Sequence, residues 1–280
     1  MYFAGIDLGS TMTKVAIIDQ DEAICASVIK HTGAEHRRLA NKVMEEALAQ
    51  AGLEFDKIAY LIATGYGRIS VPFADRQVTE LTCHARGVSH FFPGARLAID
   101  IGGQDAKGLK IKDGKLLDFV MSDKCAAGTG RFLELMAGSL GLGLEDLGSL
   151  SLKSTNRVSI SSTCTVFARQ EVVSRISEGV PAADILAGVH DAIASRVARM
   201  VERLGVEPDV LFTGGVAKNT GVAKALQEKL GCEVLVPEEP LLSGATGAAL
   251  LGMQITQQAQ AKGEPIRKAE RRLVEVNLFQ

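Results

Sequence analysis

The chain has 280 residues, of which 46% are apolar and 23% charged; that is room for about two domains and excludes a disordered chain. A formal net charge of −2 offers no overall basic excess for nucleic acid or an anionic membrane, and no apolar run reaches the ~18 residues of a spanning helix. The opening Met1-Tyr2-Phe3-Ala4-Gly5-Ile6-Asp7 lacks the basic start and apolar core of a signal peptide, so a cytoplasmic protein is expected, whose five cysteines are free, metal-bound or redox-active rather than disulfide-bonded.

Tyr2 to Thr11 reads as a buried strand ending in a polar glycine turn. Lys14 to Asp19 reads as a second strand, and no helix fits between the two, so they form a hairpin. A helix is predicted over 36–51, stopped by Gly52. A strand over 58–63 follows, then the loop 64–68, then a helix over 79–91. The opening pattern now recurs. Residues 97–107 match residues 4–14: both read Ile-Asp-x-Gly with a lysine seven positions after the aspartate, at an offset of 93. A β-rich stretch follows each copy, the second with a hairpin turn at Lys112-Asp113-Gly114-Lys115. Such a match points to two related halves facing one another across a cleft. Helices are predicted over 128–140 and 165–178, and a long one from Pro181 to Gly205. A strand over 209–213 runs into Gly214-Gly215, a helix over 219–230 and a strand over 233–236 follow, and the small residues 243–249 open a last helix. The tail from Gln257 is charged and expected to be peripheral.

The turn after the first strand combines three chemistries. Gly9 permits a tight turn, Ser10 and Thr11 offer hydroxyl and N–H donors to phosphate oxygens, and Asp7 can hold Mg²⁺ directly or through water. Asp100-Ile101-Gly102-Gly103-Gln104 repeats the arrangement. Neither a P-loop nor a Gly-x-Gly-x-x-Gly after the first strand is present. Cys125 and Cys164 each sit just before a predicted helix, whose N-terminus would stabilise a thiolate or an anionic cluster. Two thiols are too few for a cubane, which takes four, although a two-fold dimer would bring four together. By spacing alone, two cysteines without Cys-x-x-Cys are ordinary packing residues. Cys25, Cys83 and Cys232 read as core thiols, and adjacent His84 as packing.

Three segments carry a resemblance that spans nearly the whole chain. Asp7-Leu8-Gly9-Ser10-Thr11, Asp100-Ile101-Gly102-Gly103-Gln104 and Thr213-Gly214-Gly215 resemble the phosphate-1, phosphate-2 and adenosine motifs of the acetate kinase/sugar kinase/Hsp70/actin superfamily. That implies an α/β fold of two ribonuclease-H-like domains, residues 1–92 with about 245–280 and residues 93–244, with a nucleotide cleft between them. Asp123 to Glu134 and Ser162 to Ala168 resemble the signature segments of 2-hydroxyacyl-CoA dehydratase activators and benzoyl-CoA reductase ATPase subunits. This resemblance implies a homodimer with one [4Fe-4S] cluster on Cys125 and Cys164 of each chain. It also implies ATP/ADP and Mg²⁺ as cofactors, a ferredoxin or flavodoxin as electron donor, and a 2-hydroxyacyl-CoA dehydratase or double-cubane cluster protein as acceptor. Nucleotide contacts then fall on Gly9, Ser10, Thr11, Lys14, Gly102, Gly103, Gln104, Gly128, Thr129, Gly130, Gly214, Gly215, Lys218, Asn219 and Gly244. Asp7 and Asp100 hold Mg²⁺ and serve catalysis, and Gln104 positions the attacking water. A small-molecule kinase on the same fold is the competing reading.

Overall fold

The computed structural model describes residues 1–161, 164–266, 268, 269 and 273. Ser162 and Thr163 of the second signature segment and most of the tail beyond Ile266 lie outside the described residues. The chain divides into two compact units, Met1–Pro93 with Asp113–Leu116 and Leu241–Gln280, and Gly94–Lys112 with Leu117–Pro240.

The first unit opens with β1 (Tyr2–Leu8), β2 (Met12–Ile18) and β3 (Ile24–His31), followed by α1 (His36–Ala51), β4 (Ile58–Thr64), the two-residue β5 (Arg76–Gln77) and α2 (Glu80–Phe91). Its sheet order is β3-β2-β1-β4-β5. The hairpin is antiparallel, with Asp7 directly opposite Lys14, and β4 returns parallel to β1. Every residue of β1 after Tyr2 is buried, because α1 covers one face of this sheet and the last helix of the chain the other.

The second unit repeats that plan. Its strands are β6 (Leu97–Ile101), β7 (Ala106–Lys112) and β8 (Lys115–Ser122), and its helices α3 (Gly130–Leu140), α4 (Leu144–Ser151), α5 (Thr165–Ser177) and α6 (Ala182–Val201). It closes with β9 (Val210–Thr213), α7 (Thr220–Leu230) and β10 (Val234–Leu235). The sheet order β10-β9-β6-β7-β8 is the first order with every strand replaced by its counterpart. Asp100 pairs with Lys107 as Asp7 pairs with Lys14. At the β7–β8 turn both Asp113 and Gly114 have positive φ, 51° and 72°, the backbone of a two-residue type I′ hairpin. Four helices stand between β8 and β9 where the first unit has α1 alone.

The final helix, α8 (Ser243–Lys262), belongs to the first unit. It lies against β1, β4 and α2 with backbone close to backbone: a Cβ at Gly5 would collide with the Ala245 carbonyl, and one at Gly247 with the Cys83 carbonyl. This is the physical reason for the small residues at its start. The tail departs from expectation. α8 continues past Gln257 to Lys262, the Ala269 N–H donates to Asp75 Oδ1 at 2.9 Å, and Leu273 packs on the core of the first unit.

Candidate functional site

Each unit places one aspartate at the end of its central strand, and the two are treated differently. Asp7 is 3% exposed. Lys14 Nζ donates to its Oδ2 at 2.9 Å, and the start of α8 lies against the same oxygen, since a Cβ on Gly244 would come within 2.9 Å of it. A cation and a helix N-terminus together offset the cost of burying this carboxylate. Lys14, expected among the nucleotide contacts, is thus tied to Asp7. Ser10 is exposed and Thr11 half-buried in the turn, which the Gly9 N–H closes on the Met12 carbonyl at 3.1 Å.

His84, read from the sequence as packing, and Ser243, at the start of α8, stand beside Asp7. The Gly244 Cβ position lies 3.0 Å from His84 Nε2, and His84 Nδ1 is 3.3 Å from Ser243 Oγ. His84 is 8% exposed. The adjacent Cys83 is fully buried, as expected, and loss of solvent pushes its thiol up to about 12.

Asp100, 4% exposed, has no such compensation. Its counterpart lysine, Lys107, makes its ion pair with Asp105 Oδ2 instead, at 2.7 Å. Asp100 Oδ1 is buried without a hydrogen-bond partner among the described residues. It points towards Gly214, whose φ of 86° suits glycine alone and whose Cβ would stand 2.9 Å from that oxygen. A buried carboxylate oxygen left unpaired costs stability, and it is a fit for a cation or a metal-bound water, so the residues present suit Mg²⁺ here.

Around Asp100 the polar groups divide. Gly102 and Gly103 are half-buried and Gln104 is exposed in the turn. The N–H groups of Gly130 and Arg131, at the start of α3, donate at 2.9 Å to the Gly102 and Gly103 carbonyls. Thr129 is fully buried and its hydroxyl donates to the Ala126 carbonyl. Of these expected nucleotide contacts, Gly130 therefore spends its N–H on holding the Gly102-Gly103 turn, and Thr129 spends its hydroxyl on the Ala126 carbonyl. At the third motif Gly215 is exposed, Lys218 pairs with Glu239 at 2.9 Å, and Asn219 caps α7 by accepting from the Val222 N–H at 3.1 Å. Asn219 Nδ2 also stands 3.3 Å from Nε2 of the buried His190. Burial lowers the basicity of His190 to about 4.

Cys164 occupies the N-cap position of α5 and is half-buried. Cys125 is half-buried too, but the helix expected next to it begins only at Gly130, with Thr129 as its N-cap. It sits in a loop and packs against the core of the second unit. Cys25 corrects the core-thiol expectation: it is exposed on β3, the strand at one edge of its sheet. Cys232 is half-buried.

α5 buries only Ala168 and Val172 and exposes Val166, Phe167, Val173 and Ile176, Phe167 by 62%. Among the described residues no group of three or more His, Cys, Asp or Glu is arranged to hold a metal ion. A [4Fe-4S] cluster would take four thiolates, more than Cys125 and Cys164 of one copy could offer. Cys164 at the head of a helix with an open apolar face fits a cluster completed by a second copy.

Residues 4–252 match the model of a family described as the BadF/BadG/BcrA/BcrD ATPase family. The (R)-2-hydroxyglutaryl-CoA dehydratase activating ATPase of Acidaminococcus fermentans is 46% identical over 251 residues, 89% of this chain and 96% of that protein. The solved structure of the activator of the 2-hydroxyisocaproyl-CoA dehydratase from Clostridium difficile, with bound ADPNP, superposes with a TM-score of 0.88 at 45% identity. That match covers 95% of this chain and 99% of the other. A ROK family glucokinase from Streptomyces griseus, 15% identical with a TM-score of 0.56 over 91% of this chain and all of that one, shares the fold.

Proposed function

Since the chain belongs to the BadF/BadG/BcrA/BcrD ATPase family, we propose that it is an ATP-dependent activator of an iron–sulfur enzyme. In this reading it takes single electrons from a ferredoxin or flavodoxin and passes them, driven by ATP, to a 2-hydroxyacyl-CoA dehydratase or a double-cubane cluster protein. The observation that carries the reading is Cys164 at the N-cap of a helix whose outer face is apolar and open, in a chain 46% identical to a protein named as a dehydratase activating ATPase. A [4Fe-4S] cluster held by Cys125 and Cys164 of two chains would supply the one-electron chemistry. No helix among the described residues is long and apolar enough to cross a membrane, and the proposed setting is the cytoplasm.

The residues then take separate tasks. Ser10, Thr11, Gly102 and Gly103 present donors to phosphate oxygens. Asp7, already paired with Lys14, and Asp100, whose Oδ1 has no partner among the described residues, are the carboxylates that would hold Mg²⁺ directly or through water, and the ion would offset phosphate charge. Gln104, exposed in the turn, orients the attacking water; an amide cannot take its proton, so hydrolysis is slow until a partner docks. Gly214 and Gly215 let the backbone approach the nucleoside. The loop from Cys125 to Gly130 ends in the two hydrogen bonds that hold the Gly102-Gly103 turn. A shift of that turn would therefore reach Gly130 and Arg131, five and six residues beyond Cys125.

The test is iron and acid-labile sulfide, measured on protein purified without oxygen. About four of each per two chains is expected. Protein free of iron under those conditions refutes the electron-transfer reading.

A further inference from the structure

One buried histidine is used by no task assigned above. His190, on α6, is 1% exposed, and its ring joins α4 to α7. Nδ1 lies 2.9 Å from Ser151 Oγ at the end of α4, and Nε2 lies 3.3 Å from Asn219 Nδ2 at the head of α7. The proton positions follow from the partners. The Val222 N–H can only donate, so the Asn219 atom facing it at 3.1 Å is the amide oxygen, and the NH₂ group is turned to His190. That NH₂ group can only donate, so Nε2 accepts and the ring is neutral, with its proton on Nδ1. Nδ1–H then donates to Ser151 Oγ, whose own hydroxyl donates to the Gly148 carbonyl at 2.8 Å. A protonated ring would set two donors against each other at Asn219. Turning the amide over would suit that ring but deprive α7 of its cap. Burial disfavours the charged ring as well. The backbone closes tightly on this chain of hydrogen bonds: a Cβ on Gly221 would collide with Ser151 Oγ and His190 Nδ1, and one on Gly148 would stand 3.0 Å from Asn219 Oδ1.

We propose that His190 is a positioning residue for the nucleotide: as the neutral Nδ1–H tautomer it holds Asn219, and through Asn219 it fixes the Gly214-Gly215 turn. Asn219 is where that turn ends. The Ala217 N–H donates to the Gly214 carbonyl at 3.2 Å and the Asn219 N–H to the Val216 carbonyl at 2.9 Å, so the far end of the turn is anchored by the Asn219 side chain. That side chain has two holds, the α7 cap through its oxygen and His190 through its nitrogen. Removing the acceptor at Nε2 leaves the NH₂ group unpaired and frees the amide to turn. His190 acts through Asn219 and touches no nucleotide itself. The role rests on the reading of Gly214-Gly215 as the nucleoside motif; the tautomer does not.

Two substitutions separate the two ring nitrogens. His190→Gln puts an amide near the Nε2 position, where it can accept from Asn219. His190→Asn puts one near the Nδ1 position, within reach of Ser151 alone. Both delete the ring from the core, so both lose packing. The experiment is a calorimetric titration of ADP with Mg²⁺ into the wild type and the two variants, with denaturant unfolding alongside. The Gln variant is expected to bind ADP within about twofold of the wild type and the Asn variant about fivefold more weakly, the worth of one hydrogen bond, although the two lose similar stability. Affinity that is equal in the two variants, or weaker in the Gln variant, overturns the positioning role and leaves His190 a packing residue. A second measurement needs no substitution: nitrogen NMR of wild-type protein labelled in its histidine rings. At neutral pH the His190 Nδ1 is expected to carry the proton and Nε2 to be bare; a proton on Nε2 overturns the proposal. A wild type that binds no ADP refutes the nucleotide reading, and the positioning role with it. ADP binding that fails to separate the variants refutes the positioning role alone.

Discussion

Replacing Asp100 by asparagine tests whether its carboxylate is there for a ligand. The side chain is 4% exposed and Oδ1 has no hydrogen-bond partner among the described residues. Leaving a buried polar atom unsatisfied costs about 1–3 kcal/mol, and more when the group is charged. An amide of the same shape removes the charge. Its NH₂ group also has an acceptor nearby, because the Ile101 carbonyl and Asp100 Oδ1 both crowd the Cβ position of Gly214. Asp100→Asn should therefore stabilise the ligand-free protein by about 1–3 kcal/mol, each kcal/mol raising Tm by about 2–4 °C for a chain of this size. Mg-ATP should at the same time lose most of the stabilisation that it gives the wild type, since binding adds stability only through its affinity. The assay is thermal unfolding of both proteins with and without Mg-ATP. A variant that unfolds earlier without ligand, or one that Mg-ATP protects as fully as the wild type, refutes the reasoning.

Cys164→Ser should abolish the iron content while retaining nucleotide binding, read by iron assay and calorimetry; an unchanged cluster spectrum would exclude Cys164 as a ligand. Gly214→Ala combines a positive φ with a collision against the Ile101 carbonyl. It should cost several kcal/mol and weaken ATP binding, which denaturant titration and calorimetry would show. His190 has its basicity lowered from about 6.5 to about 4 by burial, so the unfolded chain binds its proton first as pH falls. Stability should therefore drop between about pH 6.5 and 4 by roughly 3 kcal/mol from this group, and His190→Gln should flatten that part of the profile.

The internal duplication was legible because it lies in local sequence: the same Ile-Asp-x-Gly and the same lysine spacing end the same hairpin in both units. The long helices were legible from their periodicity and from stops such as Gly52 and Gly205. Strand β3 was legible only as part of a β-rich stretch, without bounds, because half of it is solvated, which also explains the exposed Cys25. The two-residue β5 is too short for a pattern, whereas β10 falls inside the strand predicted over 233–236. His84 was read as packing because its meaning lies at Gly244 and Asp7, distant in sequence and joined only by the fold. The different fates of Asp7 and Asp100 were likewise hidden: the sequence repeats the lysine, and only the side-chain geometry shows Lys107 turned to Asp105.

The return of α8 to the first unit sets an order of events during synthesis. β1, β4 and α2 emerge first, with Phe3, Ile18, Tyr60, Ile62 and Cys83 awaiting Ala248, Ala249, Leu250 and Met253 to cover them. The second unit, all of it encoded in between, can collapse on the ribosome while that apolar sheet face stays bare. Gly244 reaches Asp7 only at the end of synthesis, so a chain cut short before residue 241 carries a bare apolar sheet face and an Asp7 without α8 against it. Truncation should therefore yield aggregates rather than a half-active fragment.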